Sequence, residues 1–340
     1  MMNNKVIIDP LVNVYYAGFY IKGLLDKFGK KNVIFKSVPF ENIKNRGDNF
    51  NFIISCNGTD KKYSIHIDDP YDIKIDAYDW CDVYGNVNAN FEKTPIEYHA
   101  KLISLVPSFG IRVWNFPQTL YYCFTNLGKI NSKVNIRKFI GKYRRQFELR
   151  LPLDSYQAYK QQEVNINYIF HLSTLWHSDE WSKNDEGVNR TRANFIRVCK
   201  SIGNVNFEGG LSFKKGSSFT LFNDVIYKGT MSLSEYLLKT KQSLFVFNTA
   251  AFWSCHGWKL GEFLALGKAI ISTPLSNDLP EPLVHGENIH FIANDSEEEI
   301  RKAVVYIINN AEYRMHLESG AQDYWNNYGT PLKSLELLGL

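Results

Sequence analysis

The chain is expected to be an α/β protein made of two Rossmann-like domains facing a cleft, and three observations lead there. Short apolar runs of strand length alternate with stretches of helical spacing near both ends of the sequence. Its 340 residues exceed the ordinary size of one domain, so two cores are expected. Finally, Leu244–Pro282 reads as strand, loop, helix, strand, with its polar residues at the strand end where open α/β sheets bind ligands.

The first half opens with Lys5–Asp9 as a strand, Tyr15–Phe28 as a helix stopped by Gly29, and Asn32–Phe35 as a second strand. Phe50–Cys56 and Tyr63–Ile67 should pair as a hairpin through Asn57, Gly58, Thr59 and Asp60. Asp82–Asn88 and Lys101–Val106 read as further strands, Pro107–Gly110 as a turn and Arg112–Trp114 as one more strand. Val134–Phe147 has apolar residues at three-to-four spacing among cations, an amphipathic basic helix. Such a helix either packs its apolar face on its own domain or lies on an anionic bilayer, so 133–150 is a candidate for peripheral membrane contact.

Leu151–Val164 is polar and reads as the connection between domains. In the second half Asn167–Leu172 is a strand, Ser173–Gly187 a loop with His177, Asp179, Glu180, Trp181 and Asp185, and a helix follows with Arg190 and Arg192 near its start. Val205–Glu208 and Val225–Lys228 read as strands, and Ser232 caps a helix running to Lys239, with Glu235 completing an S-x-x-E box. Leu244–Phe247 and Ala269–Ser272 are buried strands flanking the helix Trp258–Leu266, which Gly257 opens and Gly267 closes. Ile289–Ile292 is a last strand, Ser296–Asn309 a helix capped by Asp295, and Ala311–Tyr328 a final helix. The expected domains are 1–150 and 151–325, with 326–340 returning to the first.

Composition excludes several functions. A formal charge of +4 is too small for nucleic-acid binding, and much of the excess lies between Lys129 and Arg150. Five scattered cysteines without a CxxC pair suggest neither a disulfide framework nor zinc. The acids near Asp68 are adjacent or three to four apart, so no metal site is expected there. No run reaches the length of a membrane span and no secretory leader is visible, which suggests a cytoplasmic protein that is at most membrane-peripheral. The 15% aromatic share fits either sugar stacking or aromatic-rich cores.

Chemistry concentrates around the helix at Gly257. Its free N–H groups and dipole favour an anion beside the preceding strand end. Lys259 and Glu262 lie three residues apart on nearly one face, a cation for phosphate and a carboxylate for sugar hydroxyls. Asn248, Ser254 and His256, between strand and helix, are further candidate substrate contacts.

These residues carry a family resemblance. Lys259-Leu-Gly-Glu262-Phe-Leu-Ala-Leu-Gly267, with Leu279-Pro280-Glu281 and the turn His285-Gly286-Glu287-Asn288, resembles the donor-binding segment of GT-B glycosyltransferases, especially exostosin-like and capsule or lipopolysaccharide enzymes. The resemblance implies that Lys259 contacts a donor diphosphate and Glu262 its ribose. Many retaining members place a second glutamate where this chain has Ser254, so it does not imply a stereochemical course. It makes Arg192 and Arg190 candidates for a second diphosphate contact, and assigns ligand contacts to the loop Pro10–Gly18, hence Gly18. His66, Asp68 and Asp69, at a strand end, are candidates for the base an inverting transferase needs, Asp69 foremost. The implied reaction is metal-independent and cofactor-free transfer from a nucleotide-sugar donor to a saccharide or lipid-linked acceptor. An epimerase of the same architecture and a non-catalytic sugar-binding protein are the alternatives.

Overall fold

The computed structural model describes residues 5–44, 46–130, 134–157, 168–175, 184–213 and 222–340. The expected loop residues His177, Asp179, Glu180 and Trp181, and residues 158–164 of the expected connection, lie outside them. The chain divides into two compact units. The first holds the described residues up to Ser155 with Asn277–Pro282 and Asn326–Leu340; the second holds those of 156–276 and 283–325. Asn277–Pro282, read from sequence as part of the second domain, therefore lies with the first: Asp278 accepts from the Phe91 N–H through its carboxylate (2.7 Å) and from the Ser104 hydroxyl through its carbonyl (2.8 Å).

In the first unit a six-stranded sheet forms from β1 (Lys5–Ile8), β2 (Val33–Phe35), β3 (Asn49–Cys56), β4 (Thr59–His66), β5 (Val83–Asn86) and β6 (Leu102–Ser104), in the order β2-β1-β3-β4-β5-β6. β1 and β2 run parallel across α1 (Val14–Phe28), and β4, β5 and β6 run parallel to one another. Only β3 runs against its neighbours, because the Asn57-Gly58 turn, with φ of 51° and 83°, folds it directly back onto β4. The short helix α2 (Ile75–Trp80) lies between β4 and β5. The aromatic surplus goes largely into this core: Tyr20, Phe50, Phe52 and Tyr63 are almost fully buried, and the rings of Phe52 and Tyr63 stack at 4.9 Å.

Two expectations fail here. Arg112–Trp114 is not a strand; Trp114 instead stacks on Tyr122 (4.7 Å) and Tyr143 (5.9 Å). Those rings belong to α3 (Phe116–Leu127) and α4 (Ile136–Glu148), the first of which the sequence reading missed. Asn115 and Gln118 cap α3 reciprocally, and Pro117 stands in its first turn. α4 buries Phe139, Tyr143 and Gln146 on the unit and leaves most of its cations in water.

The second unit is built on parallel strands throughout. β7 (Tyr168–Thr174) precedes α5 (Asn184–Ser201) and pairs with β8 (Asn206–Ser212); α6 (Leu233–Gln242) leads into β9 (Val246–Asn248), α7 (Trp258–Ala265), β10 (Ile270–Ser272) and β11 (His290–Phe291). The Leu244 N–H donates to the Tyr168 carbonyl at 2.8 Å and sets β9 beside β7. β7 and β8 form a two-stranded sheet and β9, β10 and β11 a three-stranded one in the order β11-β10-β9; with the Leu244 bond setting β7 next to β9, the chain turns back from β8 past β7 to reach β9. α8 (Glu297–Asn309) and α9 (Ala311–Tyr324) complete the unit. Its core gathers Phe195, Ile196, Phe245, Phe247, Ile271 and Val304.

Three boundaries are corrected. Val225–Lys228 is a 3-10 turn ending at Val225 plus a single bridge at Ile226. Ser296, not Asp295, caps α8 by accepting from the Glu299 N–H. α9 stops at Tyr324 and continues as a π-turn, Trp325–Gly329, before the last helix Pro331–Leu337.

Candidate functional site

Parallel α/β sheets bind ligands at the C-terminal strand ends where strand order reverses, since the loops diverge there and leave a crevice. In the second unit that place is the end of β7 beside the end of β9. Four elements deliver polar groups to it.

β7 ends in Ser173 and Thr174, and β9 is followed by Thr249. α5 supplies Arg192, which is buried: its Nε donates to Thr249 Oγ1 (2.9 Å) and its Nη1 to the Thr174 carbonyl (3.1 Å). The guanidinium bridges the two strands at the switch point. Burial pulls its pKa down to about 10, so it remains a cation at neutral pH.

α7 supplies Lys259, half-buried in its first turn. The ammonium donates to the Leu172 carbonyl and to Ser173 Oγ (3.0 Å), and sits 5.7 Å from the Tyr236 ring centroid. Two of its three protons are thus held on β7, leaving one for a ligand. Ser173 Oγ is 2.7 Å from His171 Nε2, and His171 is buried against Phe195 and Phe247. Burial, then the charges of Lys259 and Arg192, hold that imidazole neutral. It can therefore accept the Ser173 proton while Ser173 accepts from Lys259.

One turn along α7, Glu262 is buried and shares a hydrogen bond with the Tyr236 phenol. Burial and that carboxylate push the phenol pKa well up. For Lys259 itself, burial is the largest effect and Arg192 adds to it, against a smaller opposing pull from Glu262; the pKa falls to about 7. Two cations and one carboxylate converge, and among the described residues neither cation is in an ion pair. A dianionic ligand would fill that electrostatic deficit.

The loop 249–257 joins the end of β9 to the start of α7. Trp253 (φ 53°), Ser254 (φ 58°) and Gly257 (φ 70°) all adopt left-handed backbone, and the Ala251 N–H closes the loop on the Cys255 carbonyl at 2.8 Å. Left-handed conformations cost a non-glycine residue energy, and such strain concentrates at binding loops. Trp253 is 69% exposed and Ser254 is exposed, whereas His256 is buried.

The sequence candidates sort plainly. Lys259, Glu262, Gly257 and Arg192 are brought to one place. Arg190 is not: it faces outward and pairs with Asp295 at 3.4 Å. Asn248 is buried and spends its amide on Ser272 Oγ (2.9 Å), a bond between β9 and β10. Gly18 is no loop residue but lies inside α1, where a Cβ would come within 2.6 Å of the Ile111 carbonyl, so its role is close packing. Asp69 stands half-buried on the bend after β4, in the first unit, its N–H on Asp68 Oδ1 (3.1 Å); His66 is fully buried, and burial lowers its pKa to about 4. His171, Ser173, Thr249 and Tyr236 were not foreseen; the signal for the first three was their position at the ends of two apolar runs.

No family model matches the chain, and no curated protein does. Among solved structures it is similar to the C-terminal domain of a glycosyl transferase group 1 family protein (LpcC) from Francisella tularensis, at TM-score 0.37 and 14% identity, over 52% of this chain and 96% of that one. It is also similar to Anabaena HepE in complex with UDP-glucose (TM-score 0.39, 10% identity, 76% of this chain and 90% of that one). A third is S. aureus MnaA with UDP (TM-score 0.39, 12% identity, 78% of this chain), of which the match spans 60%.

Proposed function

We propose that the chain is a glycosyltransferase that moves a sugar from a nucleotide-diphosphate sugar to a saccharide or lipid-linked saccharide acceptor, without metal. One observation carries this: Lys259 of α7 and Arg192 of α5 both reach the end of β7 at the strand-order switch, with Glu262 one turn along α7 from Lys259. The two cations would hold the diphosphate and Glu262 the ribose hydroxyls. As the bond to the anomeric carbon lengthens, charge grows on the departing diphosphate, and groups already fixed there stabilise it without reorganising. Asp69 is the proposed base for the acceptor hydroxyl. We also propose a cytoplasmic location, where such donors are found; the five cysteines form no disulfide, and no described helix is long and apolar enough to cross a membrane.

Calorimetric titration with UDP-, GDP-, ADP- and dTDP-sugars tests the donor site. Glu262→Gln should weaken the preferred donor about tenfold, the scale of one or two lost charge-assisted hydrogen bonds. Equal affinity in a variant with wild-type melting behaviour would remove Glu262 from the site. Conversion of donor with no acceptor present would point instead to an epimerase.

The lowered pKa of Lys259 sets a pH dependence. Its charged form exists in the free protein below about pH 7, while the phosphates of a nucleotide sugar stay ionised throughout. Donor affinity should therefore fall above pH 7, by up to about tenfold per unit until the bound-state pKa is passed. Lys259→Met should show a flat profile from pH 6 to 9; a flat wild-type profile would remove the ammonium from phosphate contact.

A further inference from the structure

We propose that the outer face of α3 docks on an anionic lipid bilayer, an inference independent of the donor-site reading. A surface helix normally turns polar residues to water. α3 does the reverse: Phe116, Leu120, Tyr121 and Phe124 are 56, 41, 62 and 60% exposed and fall on one side at four, one and three residues' spacing. Ile136 and Ile140, exposed on neighbouring α4, extend the apolar area.

Beside this row, between α3 and β2, runs an open groove of about 600 Å³. Lys30, Lys31 and Lys129 line it with Gln118, Tyr121 and Tyr122, and no carboxylate is among its lining residues. Lys30 stands 6.0 Å from the Tyr122 ring centroid. α4 adds exposed Arg137, Lys138 and Arg144, the last shared with Glu148. Apolar side chains that can enter an interface, tyrosines at its depth and lysines able to meet lipid phosphates are the elements of bilayer adsorption.

The charge also selects the occupant. Two copies meeting through this face about a twofold axis would bring the same lysine rim against itself. A negatively charged lipid surface complements it instead. α4, the described helix of the basic stretch 133–150 read from sequence, thus supplies part of the charged rim, because it turns Phe139 and Tyr143 inward and leaves Ile136 and Ile140 at the edge of an apolar area built mainly by α3.

Co-sedimentation of the full chain with vesicles of phosphatidylcholine, with and without a third phosphatidylglycerol, tests the proposal. Binding is expected to the anionic vesicles only, and to weaken as salt rises. Lys30→Glu/Lys31→Glu/Lys129→Glu should lower partitioning at least tenfold, and Leu120→Ser/Phe124→Ser about as much. All five side chains lie on an exposed helix face or groove rim, and unchanged circular dichroism would confirm folding. Failure of the wild type to bind, or wild-type binding by either folded variant, would overturn the assignment.

Discussion

Lys259→Ala is expected to lower transfer about 10²- to 10³-fold in kcat, the range found when one preorganised charge-stabilising donor is lost. The loss should come without unfolding, because the native state holds this ammonium at a cost. An ordinary lysine keeps its proton to about pH 10.5, whereas here burial and Arg192 bring the pKa to about 7. Between those values the unfolded chain binds a proton that the folded chain has released, so the native lysine makes stability rise with pH across that window. Removing it should leave the melting temperature at pH 6 unchanged or higher. Ser173→Ala should have a smaller effect in the same direction, since it frees one of the two anchors that aim the ammonium. Single-turnover kinetics with a saturating donor would separate the step, and wild-type turnover in Lys259→Ala would end the assignment of Lys259 to the leaving group.

How far the site was readable depended on whether one helix carried it. Gly257, Lys259, Glu262 and Gly267 stand on or beside α7 at fixed spacing, so their common face and the helix ends follow from periodicity alone. Arg192 against Arg190 was also decidable in principle. Arg192 shares its stripe with Phe195, Ile196 and Cys199 at three, four and seven residues, all buried, while Arg190 is out of phase with it. The Ser173–His171 relay was not readable, because which strand lies beside β9 is a property of sheet order that no local pattern contains. Gly18 was misassigned because the ligand-contacting loop Pro10–Gly18 was drawn over the first turn of a helix that the periodicity already started at Tyr15; α1 begins at Val14. α3 was missed for a reason that bears on its function: residues that meet water are apolar as well as those that meet the core, which blurs the period on which helix recognition depends.

The largest stability effect is expected in the first unit, at the C-terminal end of β1. Asp9 is fully buried and Arg46 nearly so. Arg46 Nη2 donates to Asp9 Oδ1 at 2.6 Å and Nε to Oδ2 at 2.9 Å, in the forked geometry that only a guanidinium offers; Nη2 also reaches Ser37 Oγ (2.9 Å) and the Ser37 carbonyl (3.2 Å). Asp9 Oδ1 accepts the Leu11 N–H as well (3.0 Å), so one ion pair ties the loop after β1 to the loop after β2. Burial raises the Asp9 pKa and Arg46 offsets part of that rise, which means the pair does not stabilise by its charges alone. Its importance appears when it is broken. Arg46→Ala leaves a buried carboxylate without its hydrogen-bonded cation, with only the more remote charge of Lys142 to offset it, and should cost about 3–5 kcal/mol, a large part of the roughly 5–15 kcal/mol that holds a domain together. Asp9→Asn should cost less, since an amide needs no counter-charge, and Asp9→Asn combined with Arg46→Leu should recover part of the loss. Urea unfolding of the three variants and of Arg46→Leu alone measures these costs and closes the cycle. A cost below about 1 kcal/mol for Arg46→Ala would show that water enters the site and that the two loops are held by something else.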